Sequence, residues 1–65
     1  MINVTINKQE SEIKENITVE RLLKMRNTIG AAVWINGSQL LKSEYSSHVI
    51  KAGDEIKILR ILAGG

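Results

Sequence analysis

The 65-residue sequence contains no cysteine, a single histidine and two aromatic residues. The lack of cysteine excludes disulfides, thiolate metal sites, thiol nucleophiles and redox pairs. His48 alone supplies too few imidazoles for a histidine-built metal site. No apolar run approaches the ~20 residues of a membrane span, and residues 1–4 lack the features of a signal peptide. We therefore expect a soluble, cytoplasmic protein without a membrane segment or a bound metal.

The sequence also lacks a concentrated basic segment and has few aromatic side chains that could stack on bases. Nine Lys and Arg residues are interspersed with seven Asp and Glu residues, which gives a net charge of +2. Proteins that bind nucleic acid normally gather their basic residues into a stripe, often beside aromatic rings. The sequence also lacks a phosphate-binding glycine loop. We expect neither nucleic-acid binding nor ATP binding by this chain itself.

The length limits the chain to one small domain. A chain of this size buries only about 60% of its unfolded surface. Without disulfides or metals, small scaffolds hold only a few kcal/mol of stability in reserve. We expect a single domain over residues 1–62, monomeric when free, followed by a flexible Ala-Gly-Gly tail over 63–65.

The first half of the sequence predicts a hairpin followed by a helix. Apolar and polar residues alternate over 2–6, which is typical of a half-buried strand. A polar turn over 7–10 leads to a weaker second strand over 11–15. Thr18 is a good N-cap for a helix over 19–26, whose apolar residues recur at helical spacing.

The second half predicts another hairpin. Residues 31–35 form a third strand, and Asn36-Gly37 is the strongest hairpin signal in the chain. A short return strand is expected over 40–41. Ser43 is expected to cap a single helical turn.

The last predicted strand covers residues 55–62 and must find a partner in the sheet. The resulting fold class is an α+β roll, a mixed sheet of four to five strands with one main helix packed on one face. The other face of the sheet stays open. The predicted core residues are Val4, Ile6, Ile13, Leu22, Leu23, Val33, Ile35, Ile56 and Ile58.

Three large apolar side chains are predicted on the open face. If Ile56 and Ile58 point to the core, strand alternation places Leu59 and Ile61 on the opposite side. Trp34 is likewise opposite to its strand neighbours. Exposed apolar patches on small domains commonly mark partner surfaces, and tryptophan is enriched at interface anchors. The alternative is that the last strand twists near its end and packs some of these side chains internally.

The sequence ends on Ala63-Gly64-Gly65. A C-terminal carboxylate is an anion at neutral pH and a poor electrophile, so it needs activation, for instance as an acyl-adenylate made with ATP. Glycine has no Cβ, so it can thread a narrow channel and leaves its carbonyl carbon open to attack. The three residues extend about 10 Å at most. A frayed end without function is the alternative interpretation.

Two stretches, "GAAVWING" from Gly30 and "VIKAGDEIKILRILAGG" from Val49, resemble the thiamine-pathway sulfur carriers (ThiS) of the β-grasp, ubiquitin-like superfamily. The resemblance covers essentially all 65 residues. It implies that the chain is a carrier protein and not an enzyme. A ThiF-like enzyme would use ATP to adenylate it. A sulfur donor of the cysteine desulfurase type would then make a thiocarboxylate, and a ThiG-like thiazole synthase would receive the sulfur.

The resemblance also implies roles for residues near the C-terminus. Gly65 would be the adenylate and thiocarboxylate site, and Gly64 and Ala63 would form the arm that carries it. Leu59, Ile61 and Ala63 would contact the partner enzymes. No cofactor would be bound by the carrier itself.

Three alternatives remain open at this level. Related carriers that serve molybdopterin, cysteine or homocysteine and methionine synthesis look alike. A ubiquitin-like modifier that forms isopeptide bonds with protein lysines shares the adenylate step. An interaction or RNA-binding module with an incidental tail is the third, and it would not need Gly65.

Overall fold

The computed structural model describes residues 1–60, which form one mixed sheet and one α-helix. The elements in chain order are β1 (Ile2–Ile6), β2 (Gln9–Ile13), α1 (Val19–Met25), β3 (Ala32–Ile35), β4 (Ser38–Gln39), a 3-10 helix (Lys42–Glu44) and β5 (Glu55–Leu59). The sheet order is β2-β1-β5-β3-β4. The five-stranded mixed sheet with one helix confirms the predicted fold class.

The first hairpin turns more tightly than the sequence predicts. β2 begins at Gln9, two residues before the predicted start, because Asn7 and Lys8 alone form the turn. Their φ angles are 51° and 67°, so both lie in the left-handed region that two-residue hairpin turns of this kind require. Lysine stands where glycine is usual, which is why the sequence carried no clear signal for this turn.

The last strand lies at the centre of the sheet. β5 runs parallel to β1, where Ile56 pairs with Ile6, and antiparallel to β3, where the same residue pairs with Ile35. β1 and β3 are therefore joined only through β5. The described part of β5 ends at Leu59, and residues 61–62 of the predicted strand lie outside the described residues.

The helix follows the sequence prediction closely. The Thr18 Oγ1 accepts a hydrogen bond from the Arg21 N–H at 3.2 Å, which satisfies one of the free donors of the first turn. Past its end at Met25, Asn27 has a φ of 58°, in the left-handed region that helix C-caps use. Across residues 1–60, no helix has the length and apolar character needed to cross a membrane.

The core lies between α1 and one face of the sheet. All nine predicted core residues are buried, which confirms that prediction. The sequence missed Tyr45 and Ile50, which come from the irregular segment after β4 and lie in the same cluster. The buried hydrophobic residues are Val4, Ile6, Ile13, Val19, Leu22, Leu23, Ala31, Ala32, Val33, Ile35, Tyr45, Ile50, Ile56 and Ile58.

Two predictions for the segment after β3 are wrong. The return strand is Ser38–Gln39 and not 40–41, because the Asn36-Gly37 turn takes only two residues and pairing resumes at once. The helical turn is not capped by Ser43, which lies inside it. It begins at Lys42, and the preceding Leu41 N–H donates to the Glu44 Oε1 at 3.3 Å.

Tyr45 holds this irregular segment against the sheet, and its hydroxyl offers a stability test. The side chain is buried and its O–H donates to the Ala31 carbonyl at 2.9 Å. We expect Tyr45→Phe to lower the free energy of unfolding by about 1–2 kcal/mol, because the buried carbonyl loses its partner. Urea unfolding followed by circular dichroism measures this, and an unchanged midpoint would contradict it.

Candidate functional site

The two faces of the sheet differ in what covers them. One face packs against Leu22 and Leu23 of α1 through Val33, Ile56 and the other core residues. The other face has no helix over it among residues 1–60. This open face is the candidate site, because it combines a groove with exposed apolar side chains.

A patch of three apolar side chains and one lysine occupies the β3 and β5 side of the open face. Trp34 lies opposite Lys57 in the ladder, and Ala32 lies opposite Leu59. We call these four residues the open-face patch. Leu59 is 49% exposed and Trp34 is half-buried. The structure therefore places Trp34 and Leu59 on one face, as strand alternation predicts.

Lys57 contacts Trp34 within the patch. Its Nζ lies 5.5 Å from the centroid of the Trp34 ring, within the range of a cation–π contact. The Lys57 side chain is exposed, so this contact is a weak one at the edge of the solvent. It places a positive charge beside the apolar ring within the patch.

A shallow groove of about 600 Å³ continues from the patch toward the β1–β2 turn. Its lining includes Asn7 and Lys8 of that turn together with Trp34, Lys57 and Leu59 of the patch. It enlarges the surface that a protein partner could contact next to the patch.

A row of carboxylates lies on the β1 and β2 side of the same face. The register pairs Thr5 with both Glu10 and Glu55, so these two glutamates flank Thr5 across three strands. Glu12 follows on the same face of β2, opposite Asn3. All three glutamates are exposed. The open face is therefore apolar on one side and acidic on the other, which fits an apolar partner surface with a basic rim.

Sequence reasoning did not find this acidic row. Glu10 and Glu12 lie two residues apart on β2, but Glu55 lies far along the chain on β5, and only the sheet register brings it beside them. No pattern within a short window joins the three.

Asn7 contacts β5 where the ladder with β1 ends. Its backbone N–H donates to the Ile56 carbonyl at 2.9 Å, and its Oδ1 accepts from the Ile58 N–H at 2.8 Å. This side chain was also missed from the sequence. It lies at the point from which β5 continues toward the C-terminus.

Metal-binding chemistry has no support in the described part of the chain. Residues 1–60 contain no group of three or more His, Cys, Asp or Glu side chains that could hold a metal ion. His48 is partly buried beside the helix start, where its carbonyl accepts from the Val19 N–H at 3.0 Å. Nothing in these contacts gives the imidazole a nucleophile to activate.

The remaining predicted site residues cannot be placed. Ile61, Ala63, Gly64 and Gly65 lie outside the described residues, as does the predicted tail over 63–65. Their roles stay predictions, and so does the partner role of Trp34 and Leu59.

Comparison with known proteins identifies relatives that span the whole chain. The model of the ThiS family matches residues 3–65. The chain is 27% identical over 66 residues to the sulfur carrier protein ThiS of Escherichia coli (strain K12), with 98% of this chain and 100% of that protein covered. The match therefore concerns the full length of the relative.

Solved structures give the same result for the fold. The crystal structure of the thiamine biosynthesis protein ThiS from Geobacter metallireducens superimposes with a TM-score of 0.83 at 26% identity, over 98% of this chain and 100% of that one. The solution structure of a thiamine biosynthesis protein from the same organism gives 0.78 at 26% identity, over 98% and 88%. The predicted β-grasp fold is confirmed.

Proposed function

The chain belongs to the ThiS family, and from this premise we propose that it is a sulfur carrier for the thiazole of thiamine. In this proposal the Gly65 carboxylate is adenylated and then converted to a thiocarboxylate. The observation that carries the proposal is that the family match runs through Gly64 and Gly65. The names of the relatives, a sulfur carrier and a thiamine biosynthesis protein, support the same function.

The proposed chemistry takes place on the terminal carbonyl carbon. A carboxylate oxygen of Gly65 attacks the α-phosphorus of ATP, and pyrophosphate leaves. The acyl-adenylate is a good electrophile because AMP is a stable leaving group. The terminal sulfur of the donor's persulfide then attacks the carbonyl carbon, and AMP departs with the original oxygen. A thiol reductant cleaves the resulting acyl disulfide and is itself oxidised to a disulfide, so one oxygen is replaced by sulfur. No cysteine of the carrier is required, and the sequence has none.

The folded body would serve as the docking element for the adenylating enzyme. The open-face patch supplies exposed apolar area at Leu59 and a half-buried aromatic ring at Trp34. The acidic row beside it would steer a basic rim of the partner toward the patch. In this proposal the carrier is a cytoplasmic substrate, a monomer when free, while the ThiF-like enzyme binds the ATP.

An intact-mass measurement tests the proposed function. We expect incubation with a ThiF-like enzyme, ATP, a cysteine desulfurase, free cysteine and a thiol reductant to raise the mass by the difference between sulfur and oxygen. No mass change with an enzyme that is active on its own carrier would contradict the proposal. Higher-mass conjugates that resist reductant would instead indicate a ubiquitin-like modifier.

The receiving pathway needs a second measurement. We expect a ThiG-like thiazole synthase to consume the thiocarboxylate and return the carrier to its original mass. Turnover only by a molybdopterin, cysteine or homocysteine enzyme would contradict the thiazole assignment and keep the sulfur-carrier function.

A further inference from the structure

The Asn7 side chain supplies a hydrogen-bond acceptor to β5 beyond the point where the ladder with β1 ends. β1 and β5 run parallel, and their ladder ends where Ile6 pairs with Ile56. After Asn7 the chain turns back into β2, so β1 offers no further backbone group to β5. The Asn7 Oδ1 accepts the hydrogen bond of the Ile58 N–H at 2.8 Å instead, across 51 positions of sequence.

Two features of position 7 suit asparagine: its backbone conformation and the hydrogen bond that its side chain accepts. The residue has a φ of 51°, a left-handed conformation that asparagine adopts more readily than most residues other than glycine. It must also present an acceptor oxygen on a short side chain, which glycine lacks. Aspartate meets both requirements as well. Leaving the part-buried Ile58 N–H without a partner would loosen β5 at this point.

The contact determines how far β5 is held on both edges. On its other edge β5 lies against β3 as far as Leu59, and Val33 and Ala32 are the register partners of Ile58 and Leu59. From Ile58 to Gly65 the chain can span at most about 25 Å. Without the Asn7 contact, β5 would be held beyond Ile56 from the β3 edge alone, so its end could shift away from β1.

We propose that Asn7 is a positioning residue that anchors the end of β5 at Ile58 and so presents the Gly65 carboxylate to the adenylating enzyme. Asn7 acts through Ile58 and touches no reacting atom. The proposal rests on the proposed function, because it needs Gly65 to be the modified group. It adds that delivery of the carboxylate depends on a side chain of the first hairpin.

The test uses two variants of Asn7 in the full-length chain. Asn7→Gly keeps the left-handed backbone and removes the acceptor oxygen, whereas Asn7→Asp keeps both. For Asn7→Gly we expect amide exchange of Ile58 to speed up at least tenfold and kcat of adenylation to fall about tenfold, because a misplaced carboxylate reacts slowly. KM should change less than kcat, since Trp34, Lys57 and Leu59 of the open-face patch are intact. Asn7→Asp should retain both native values.

A matched control separates positioning from general destabilisation. Thr18→Ala removes the N-cap of α1, on a different element from β5, and also weakens the fold. We expect it to leave kcat and the exchange of Ile58 unchanged. An equal fall of kcat in Thr18→Ala, or an unchanged kcat in Asn7→Gly, would overturn the proposal. Failure of the native chain to be adenylated would instead overturn the proposed function.

Discussion

Deletion of Gly65 is expected to reduce adenylation and thiocarboxylate formation at least about 100-fold while leaving the unfolding transition unchanged. The shortened chain still ends in a glycine carboxylate, but that group is drawn back by about 3.5 Å. A misplacement of only about 1 Å can cost a factor of 100 in rate. The buried core found in residues 1–60 lies between Val4 and Ile58, so stability should not change.

The measurement is intact mass and pyrophosphate release, with thermal unfolding recorded beside them. Gly65→Ala is the matched control, because it keeps the carboxylate at its native distance and adds only a methyl group. We expect an intermediate loss for this variant, since the added Cβ restricts the backbone and crowds the carbonyl carbon. Full modification of the shortened chain would show that Gly65 is not the reacting residue.

Leu59→Asp is expected to lower kcat/KM of adenylation by about 30-fold or more, mainly through KM. An unpaired carboxylate in the apolar centre of an interface loses its water without gaining a partner, which costs about 2 kcal/mol or more and corresponds to about this factor. Leu59 is 49% exposed, and its side chain lies on the open face, so the fold should tolerate the change. Steady-state kinetics with the ThiF-like enzyme, at fixed ionic strength, measures the effect.

Leu41→Asp is the matched control for this prediction. It makes the same chemical change at a leucine that is 65% exposed, just before the 3-10 helix and outside the open-face patch. We expect its kcat/KM to stay within about twofold of the native value. Equal losses in the two variants would indicate a general effect of charge and contradict docking through the patch.

The predictions that succeeded were those with a local physical signal. Thr18 as N-cap and Asn36-Gly37 as turn depend only on neighbouring residues, and both are confirmed. Period-two alternation correctly selected the buried side of β1 and β5. The predicted start of β2 was wrong because Lys8 adopts a left-handed conformation, which the identity of the residue does not predict.

Only the part of the candidate site that has a local signal in the sequence could be predicted. Alternation placed Trp34 and Leu59 opposite the core, which the register confirms. The carboxylate row and the Asn7 contact depend on how distant strands align, and one of these contacts spans 51 positions of sequence. No pattern within a short window contains that information.

The central place of β5 also bears on how the protein is made. Within residues 1–60, β1 and β3 have no ladder with each other, so the two hairpins form one sheet only through β5, which follows both in the chain. A nascent chain therefore cannot complete the sheet until β5 has left the ribosome. A polypeptide whose translation stops before β5 would keep both hairpins without the strand that joins them.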